Sequence, residues 1–279
     1  MFLTLLSLSF ATLLSTTTAA PVTNPAADVQ ASVGKRGVPY NDGKLANLFL
    51  GGSNKVKWAY NWDSSRGDLD KSIEYVPMLH DTLTVNTAKF RENVKKSGAT
   101  HIMSFNEPDQ CGKDTGGVCM QDVAATVKAH MNYVQPIAKD FPNIQIGAPA
   151  VTNGEWDNNT QKPMGLPYLK QFLDGCKTAG CRIDFISIHW YDSADNIIYF
   201  KKHVEEAHRM SNKPVWITEF TPSGSVAQIQ NFLKEVLPWL EHPNQSYVQR
   251  YAYQWAARGS LVDGTGKKLT PVGQTYASV

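Results

Sequence analysis

Two glutamates are set apart by what flanks them. Glu107 lies in Ser104-Phe105-Asn106-Glu107-Pro108-Asp109, directly after the apolar run His101-Ile102-Met103. Glu219 closes a second run, Pro214-Val215-Trp216-Ile217-Thr218-Glu219-Phe220. Each segment reads as a short apolar strand with a glutamate at its C-terminal end. Proline restricts the residue before it, which predicts extended geometry for Glu107 and holds it off any helix. Two carboxyl groups at converging strand tips suit acid-catalysed cleavage of a glycosidic bond. A glutamate before proline is ordinarily a surface turn residue, so Glu107 alone says little. The matched Glu219, roughly three strand–helix units further on, would face it across the mouth of an eight-strand ring.

Such a ring gathers strand-end side chains on its C-terminal face. That face is expected to receive Trp62, His80, Asn106, Trp190, Tyr191, Asp192 and Trp255 beside the two glutamates. Aromatic rings stack on the apolar faces of a sugar, while amides and acids bond its hydroxyls. Side chains alternate along a strand, so His189-Trp190-Tyr191-Asp192 cannot all point the same way. No second histidine stands at ligand spacing from His189, so a sugar hydrogen-bonder or a structural histidine is expected and no metal. Tyr191 is a candidate donor beside the nucleophile. Trp58, Tyr60 and Trp62 share one face of a strand, with Trp62 nearest the tip. Trp216 and Trp239 read as core, and Trp156, in a polar loop, extends a binding groove or packs its own loop.

The elements that position these residues alternate. Strands are expected near residues 37–41, 57–61, 73–79, 101–106, 144–149, 183–190, 214–218 and 250–254. Between them run apolar stripes at helical spacing: Phe90 and Val94 before a Gly98 stop; Val123, Val127, Met131 and Val134 up to Pro136; and Leu169, Phe172, Leu173 and Cys176 after Pro167 as first helical residue. Ile197, Phe200, Val204 and Ala207, then Val226, Ile229, Phe232, Leu233 and Val236, mark two more. The link from Asn61 to Ile73 has room for a rudimentary helix only. The pattern predicts an α/β fold, a single (β/α)8 TIM barrel. A doubly wound open sheet is the alternative, but no Gly-rich phosphate loop follows any strand.

The flanks and bulk properties bound the rest. Residues 1–20 read as a signal peptide, an apolar run ending in Ala19 and Ala20. Residues 21–36 read as a propeptide or flexible segment ending at the dibasic Lys35-Arg36, leaving a catalytic domain of 37–279. The net charge of +2 comes without a basic stripe, which argues against nucleic acid, and no later run is long enough to span a membrane. Four cysteines form two local pairs, Cys111 with Cys119 and Cys176 with Cys181. Four cysteines allow three pairings, and metal binding competes with disulfides, but secretion favours the two local disulfides. Asn158 and Asn244 head glycosylation sequons. A monomer without cofactor is expected.

Four motifs in order carry a resemblance: Ser104 to Asp109, Gly147-Ala148-Pro149-Ala150-Val151, Ile188-His189-Trp190-Tyr191 and Val215 to Phe220. Together they resemble the fungal members of glycoside hydrolase family 128. The resemblance implies a clan A barrel that cleaves β-1,3-glucan with retention, with Glu107 as acid/base and Glu219 as nucleophile. Asn106 resembles the asparagine that bonds the sugar 2-hydroxyl. Met78-Leu79-His80 departs from the family's Met-Leu-Trp, which puts one sugar contact and the chain-length preference in doubt. The expected activity is a secreted or wall-associated endo-β-1,3-glucanase acting on polysaccharide or oligosaccharide. Exo action, another β-glycan (mannan, xylan, β-1,4-glucan) and a non-catalytic β-glucan-binding barrel are the alternatives.

Overall fold

Each of the eight β-rich runs becomes a parallel strand in the computed structural model, which describes residues 34–113 and 115–279. The strands are β1 (Arg36–Pro39), β2 (Trp58–Tyr60), β3 (Glu74–Tyr75), β4 (His101–Ile102), β5 (Gln145–Val151), β6 (Phe185–Ser193), β7 (Val215–Ser223) and β8 (Val248–Tyr253). Their order is β3-β2-β1-β8-β7-β6-β5-β4, and a parallel bridge between Met78 and Met103 joins the two outer strands and closes the barrel. β3 and β4 are shorter than expected. Pro77 has no N–H to offer a ladder, so the chain there is tied by single bonds such as Met103 N–H to the Pro77 carbonyl, 2.9 Å.

Besides a four-residue helix at Gly43–Ala46, the helices are α1 (Thr84–Ser97), α2 (Val123–Tyr133), α3 (Gln135–Asp140), α4 (Gly165–Ala179), α5 (Ile197–Ser211), α6 (Val226–Glu241) and α7 (Pro271–Ser278). Local chemistry sets their ends. Asp122 caps the N-terminus of α2, Ser225 and Gln228 form a reciprocal capping box on α6, and Gly98 ends α1 in the left-handed region at φ 63°. The break between α2 and α3 falls just before Pro136, as its missing N–H requires. α4 starts at Gly165, two residues ahead of the expected Pro167, and the link from Asn61 to Ile73 holds turns but no helix. No helix among the described residues is long and apolar enough to cross a membrane.

Alternation along the strands makes two cores. Trp58, Tyr60, Met78, Met103, Phe185 and Trp216 fill the barrel interior. Ile186, Ile188, Trp190, Phe220, Phe200, Phe232 and Leu233 fill the layer between sheet and helices. At the bottom of the barrel the Arg250 guanidinium lies 4.4 Å from the Trp216 ring and pairs with Glu74 at 2.9 Å.

Residues 1–33, with the expected signal peptide, lie outside the described residues. The last two residues of the expected removable segment belong to the fold instead. Arg36 opens β1 with 1% of its surface exposed, and its guanidinium donates to the Tyr251 hydroxyl (2.8 Å) and to the carbonyls of Tyr276 and Val279. Lys35 Nζ reaches the Leu240 and Gln245 carbonyls. A charge buried on this scale needs such partners, which ties both residues into the barrel wall.

Candidate active site

Glu107 stands five residues beyond β4, just after the Asn106–Ala150 bridge, in a conformation the sequence does not announce. Its φ is +41°, in the left-handed region, and not extended as the following proline suggested. Such a residue costs on the order of 1–3 kcal/mol unless its surroundings over-determine it. Here they do. Its N–H donates to the Ala150 carbonyl at 2.8 Å, and Val118 N–H lies 3.2 Å from the Asn106 carbonyl and 3.3 Å from that of Glu107. The Cys111–Cys119 disulfide closes the loop that supplies Val118. Two residues on, the buried Asp109 carboxylate accepts from Thr152 N–H, the Thr152 hydroxyl (2.6 Å) and Gly165 N–H (2.7 Å), locking the loop after β4 to the loop after β5.

Glu219 sits inside β7, opposite His189 of β6. Three donors converge on its carboxylate. Trp62 Nε1 reaches Oε1 at 2.8 Å, the Tyr60 hydroxyl reaches the same oxygen at 3.2 Å, and the Tyr191 hydroxyl bonds Oε2. The Tyr191 hydroxyl also meets Gln254 Oε1. It has one proton to give, and the charged acceptor takes it. Burial and the Glu219 charge push both phenols' pKa well up, so they remain donors.

His189 lies between the glutamates with none of its surface exposed. Its Nδ1 is 2.7 Å from Glu107 Oε1 and 3.6 Å from Glu219 Oε2. Burial disfavours its cation, but the Glu219 and Glu107 charges outweigh burial and leave its pKa raised. Glu107, His189 and Glu219 each place a donor atom within 4.8 Å of the others. His130 groups similarly with Cys176 and Cys181, but those sulfurs are joined in the second disulfide, so both expected bridges form.

The glutamates open into a cavity of about 660 Å³. Trp62, His80, Asn106, Tyr191 and Trp255 line it, as their strand-tip positions predict. Trp62 and Trp255 meet edge to face, 5.7 Å between centroids. The Asn106 amide nitrogen donates to the Gly116 carbonyl, while its buried Oδ1 has no protein partner. His80 faces the cavity with its Nδ1 3.3 Å from Asp81.

Two expected sugar contacts are elsewhere. His189 is fully buried between the two carboxylates and lines no part of the cavity. Trp190, the next residue, points the opposite way and is fully buried in the helix layer, stacked at 5.4 Å on Phe232 and edge-on to Phe200. Asp192 bonds Ser193 N–H and the Asn196 amide, shaping the turn into α5. The period of two decides this: an inward His189 forces an outward Trp190.

Five lining residues escaped the sequence reading: Asn41, Gln110, Thr115, Gly116 and Gln254. Asn41 and Gln254 end their expected strands, so the strand-tip rule applied throughout would have found them. Gln110, Thr115 and Gly116 come from the disulfide loop, which has no strand periodicity to give it away. Asn158 and Asn244 are both exposed.

Residues 37–276 match the family described as glycosyl hydrolase catalytic core. Alkali-sensitive linkage protein 1 of Schizosaccharomyces pombe is 27% identical over 266 residues, 88% of this chain and 44% of that protein. The chain thus spans under half the length of that curated relative. A solved glycoside hydrolase family 128 (subgroup III) curdlan-specific exo-β-1,3-glucanase from Blastomyces gilchristii, in complex with glucose, is similar at TM-score 0.74 and 33% identity, over 92% of this chain and 100% of that one. A subgroup II endo-β-1,3-glucanase from Sorangium cellulosum gives TM-score 0.69 and 25% identity over 87% and 98%. With that match running through the barrel and paired glutamates at its mouth, the chain belongs to the glycosyl hydrolase catalytic core family and to glycoside hydrolase family 128.

Proposed function

We propose that the chain is a secreted, retaining β-1,3-glucanase in which Glu107 is the acid/base and Glu219 the nucleophile. The observation that carries the mechanism is the spacing of the carboxylates. Oxygens of Glu107 and Glu219 lie within 4.8 Å, which suits direct attack on the sugar, whereas an inverting pair stands ~6.5–9.5 Å apart to admit a water. Glu107 gives its proton to the leaving oxygen as Glu219 attacks the anomeric carbon and forms a glycosyl ester. Water then attacks that carbon, Glu107 takes its proton, and the ester bond breaks with the β configuration restored. The donors around Glu219 hold the carboxylate in line for attack. When Glu219 becomes an ester its charge disappears, and with it the largest attraction holding the His189 proton. The His189–Glu107 pair then becomes a poorer proton reservoir just when a base is needed.

The substrate assignment draws on the family 128 relatives, whose activity on β-1,3-glucan is the reason to extend it here. The aromatic pair Trp62 and Trp255 and the unpaired Asn106 Oδ1 suit stacking on a glucosyl ring and bonding to its hydroxyl. Internal cutting is the first reading, and the exo action of the 33%-identical relative supports attack from chain ends as the second. Two disulfides and exposed Asn158 and Asn244 accord with an oxidising, glycosylating route out of the cell.

The test is to offer laminarin, curdlan, mannan, xylan and carboxymethyl cellulose and to follow early products by proton NMR and chromatography. Laminarin or curdlan should be cut, with the β-anomer first. An α-anomer first would make Glu219 a base, and cleavage of only a β-1,4 polymer would overturn the substrate. Large early fragments indicate internal cutting, and a single small product indicates exo action.

A further inference from the structure

The loop between β5 and α4 rises on the catalytic face and is tied down at both ends. Asp109, two residues past Glu107, bonds Thr152 at the start of this loop and Gly165 at its end. Gly165 has φ +54°, and a Cβ there would lie 1.9 Å from the Gly154 carbonyl oxygen, so the two ends close as only glycine allows. Between them Trp156-Asp157 pairs antiparallel with Lys162-Pro163. Gln121 braces this hairpin, donating to the Asp109 carbonyl and to the Asp157 carboxylate (3.1 Å). At the base of this braced hairpin, opposite Pro163, the Trp156 side chain leaves 51% of its surface in water.

A second exposed ring stands beside the same loop. Asn153 pairs with the Tyr191 backbone in both directions, Nδ2 to the carbonyl at 3.2 Å and Oδ1 from the N–H at 3.1 Å. The Tyr199 hydroxyl accepts from Asn153 Nδ2 and donates to the Asn153 carbonyl at 3.0 Å. Tyr191 lines the catalytic cavity, so Asn153 joins that wall directly to Tyr199, whose exposure is 36%. Half-exposed aromatic side chains on braced backbone, one of them joined to the wall of the sugar cleft through Asn153 and Tyr191, suit a polysaccharide.

We propose that this rim is an outer subsite for glucosyl units of the same β-1,3-glucan chain that occupies the cavity, with Trp156 and Tyr199 as its stacking surfaces. The proposal rests on the glucanase reading above and names residues that set chain-length preference. Units in the cavity are held by Trp62 and Trp255, while units that run past Tyr191 meet the rim. Short substrates do not reach it.

The test compares kcat/KM on an aryl β-glucoside or laminaribiose with that on laminarihexaose, for wild type, Trp156→Ala, Trp156→Phe and Tyr199→Ala. Trp156→Ala should lower the hexaose value roughly three- to tenfold, the range of one aromatic stacking contact. The short-substrate value should be unchanged, and Trp156→Phe should restore most of the loss. Tyr199→Ala also frees Asn153, so its thermal midpoint is measured alongside. Calorimetric binding of laminarihexaose to Glu219→Gln, with and without Trp156→Ala, reads the subsite apart from turnover. If Trp156→Ala leaves the long-to-short ratio and hexaose binding unchanged, the rim is not a subsite. A wild type inert on every β-1,3-glucan would instead sink the function reading, and hexaose failing to bind Glu219→Gln would sink both.

Discussion

At Glu219 three donors hold one carboxylate, and glutamine there keeps the shape while removing the proposed nucleophile. Glu219→Gln should abolish turnover with any leaving group. Glu107→Gln should cost about 10²–10⁴ on oligosaccharides yet spare the first step on an activated aryl glycoside, which needs little proton donation. Azide should then rescue Glu107→Gln as the β-glycosyl azide, and Glu219→Ala as the α-azide, assignable by NMR. The reverse pattern would exchange the two roles. His189, buried and bonded to Glu107, is proposed as a positioning residue that acts through it. Its raised pKa means its proton is held above the ordinary histidine value of 6.5. His189→Asn should therefore lower kcat with little change in KM and move the alkaline limb of the pH–rate profile to lower pH. An unmoved limb would leave His189 a merely structural role. For stability the sign is the same: the contribution of its cation is complete below pH 6.5 and fades as pH rises through the folded value.

Among the elements, the loop of 110–119 contributes Gln110, Thr115 and Gly116 to the cavity and holds Asn106 through the Gly116 carbonyl. Cys111→Ser with Cys119→Ser should therefore raise KM as well as lower stability. The chain-entropy cost lies below the ~3 kcal/mol of a 15-residue loop. The matching double change at Cys176 and Cys181, between α4 and β6, should lower stability alone, so steady-state kinetics and thermal melts of the two variants separate the loops. Trp190 belongs to the α5–α6 layer. Trp190→Ala should destabilise by roughly 3–5 kcal/mol and leave KM for oligosaccharides near wild type in the folded fraction. A selective KM defect at unchanged stability would put Trp190 back at the sugar face.

Across the whole molecule, part of the acid sensitivity comes from histidines buried as neutral rings. Burial lowers the pKa of His130 to about 3 and of His203 to about 4. His130 meets Ser104 at 3.0 Å through Nδ1 and Gln135 at 2.9 Å through Nε2. Between those values and 6.5 the unfolded chain binds protons that the folded one refuses, so stability rises with pH in that window. Each histidine contributes a slope of about 1.4 kcal/mol per pH unit there. Urea midpoints measured from pH 4 to 7 should show stability rising with pH, and His130→Gln should reduce the slope by about 1.4 kcal/mol per pH unit; an unchanged slope would assign the acid sensitivity elsewhere.

The amino-acid sequence by itself determined the barrel and which residues stand at its strand tips. Eight apolar runs separated by helical stripes leave few ways to bury their faces, and strand-tip placement follows from chain direction alone. Glu107, Glu219, Trp62, Tyr191 and both disulfides were legible for that reason, since each depends on local pattern or near neighbours. Tertiary structure decided which way the residues at a tip point. Period-two alternation states that His189 and Trp190 diverge, but only the packed helix layer says which of them is inside. The left-handed turn at Glu107 was hidden as well, because it is imposed by Ala150 and Val118, distant in sequence or across a disulfide loop. Arg36 read as the end of a disposable segment because its partners, Tyr251, Tyr276 and Val279, lie more than two hundred residues away. Contacts of that range leave no periodic trace in the chain, and only folding brings them together.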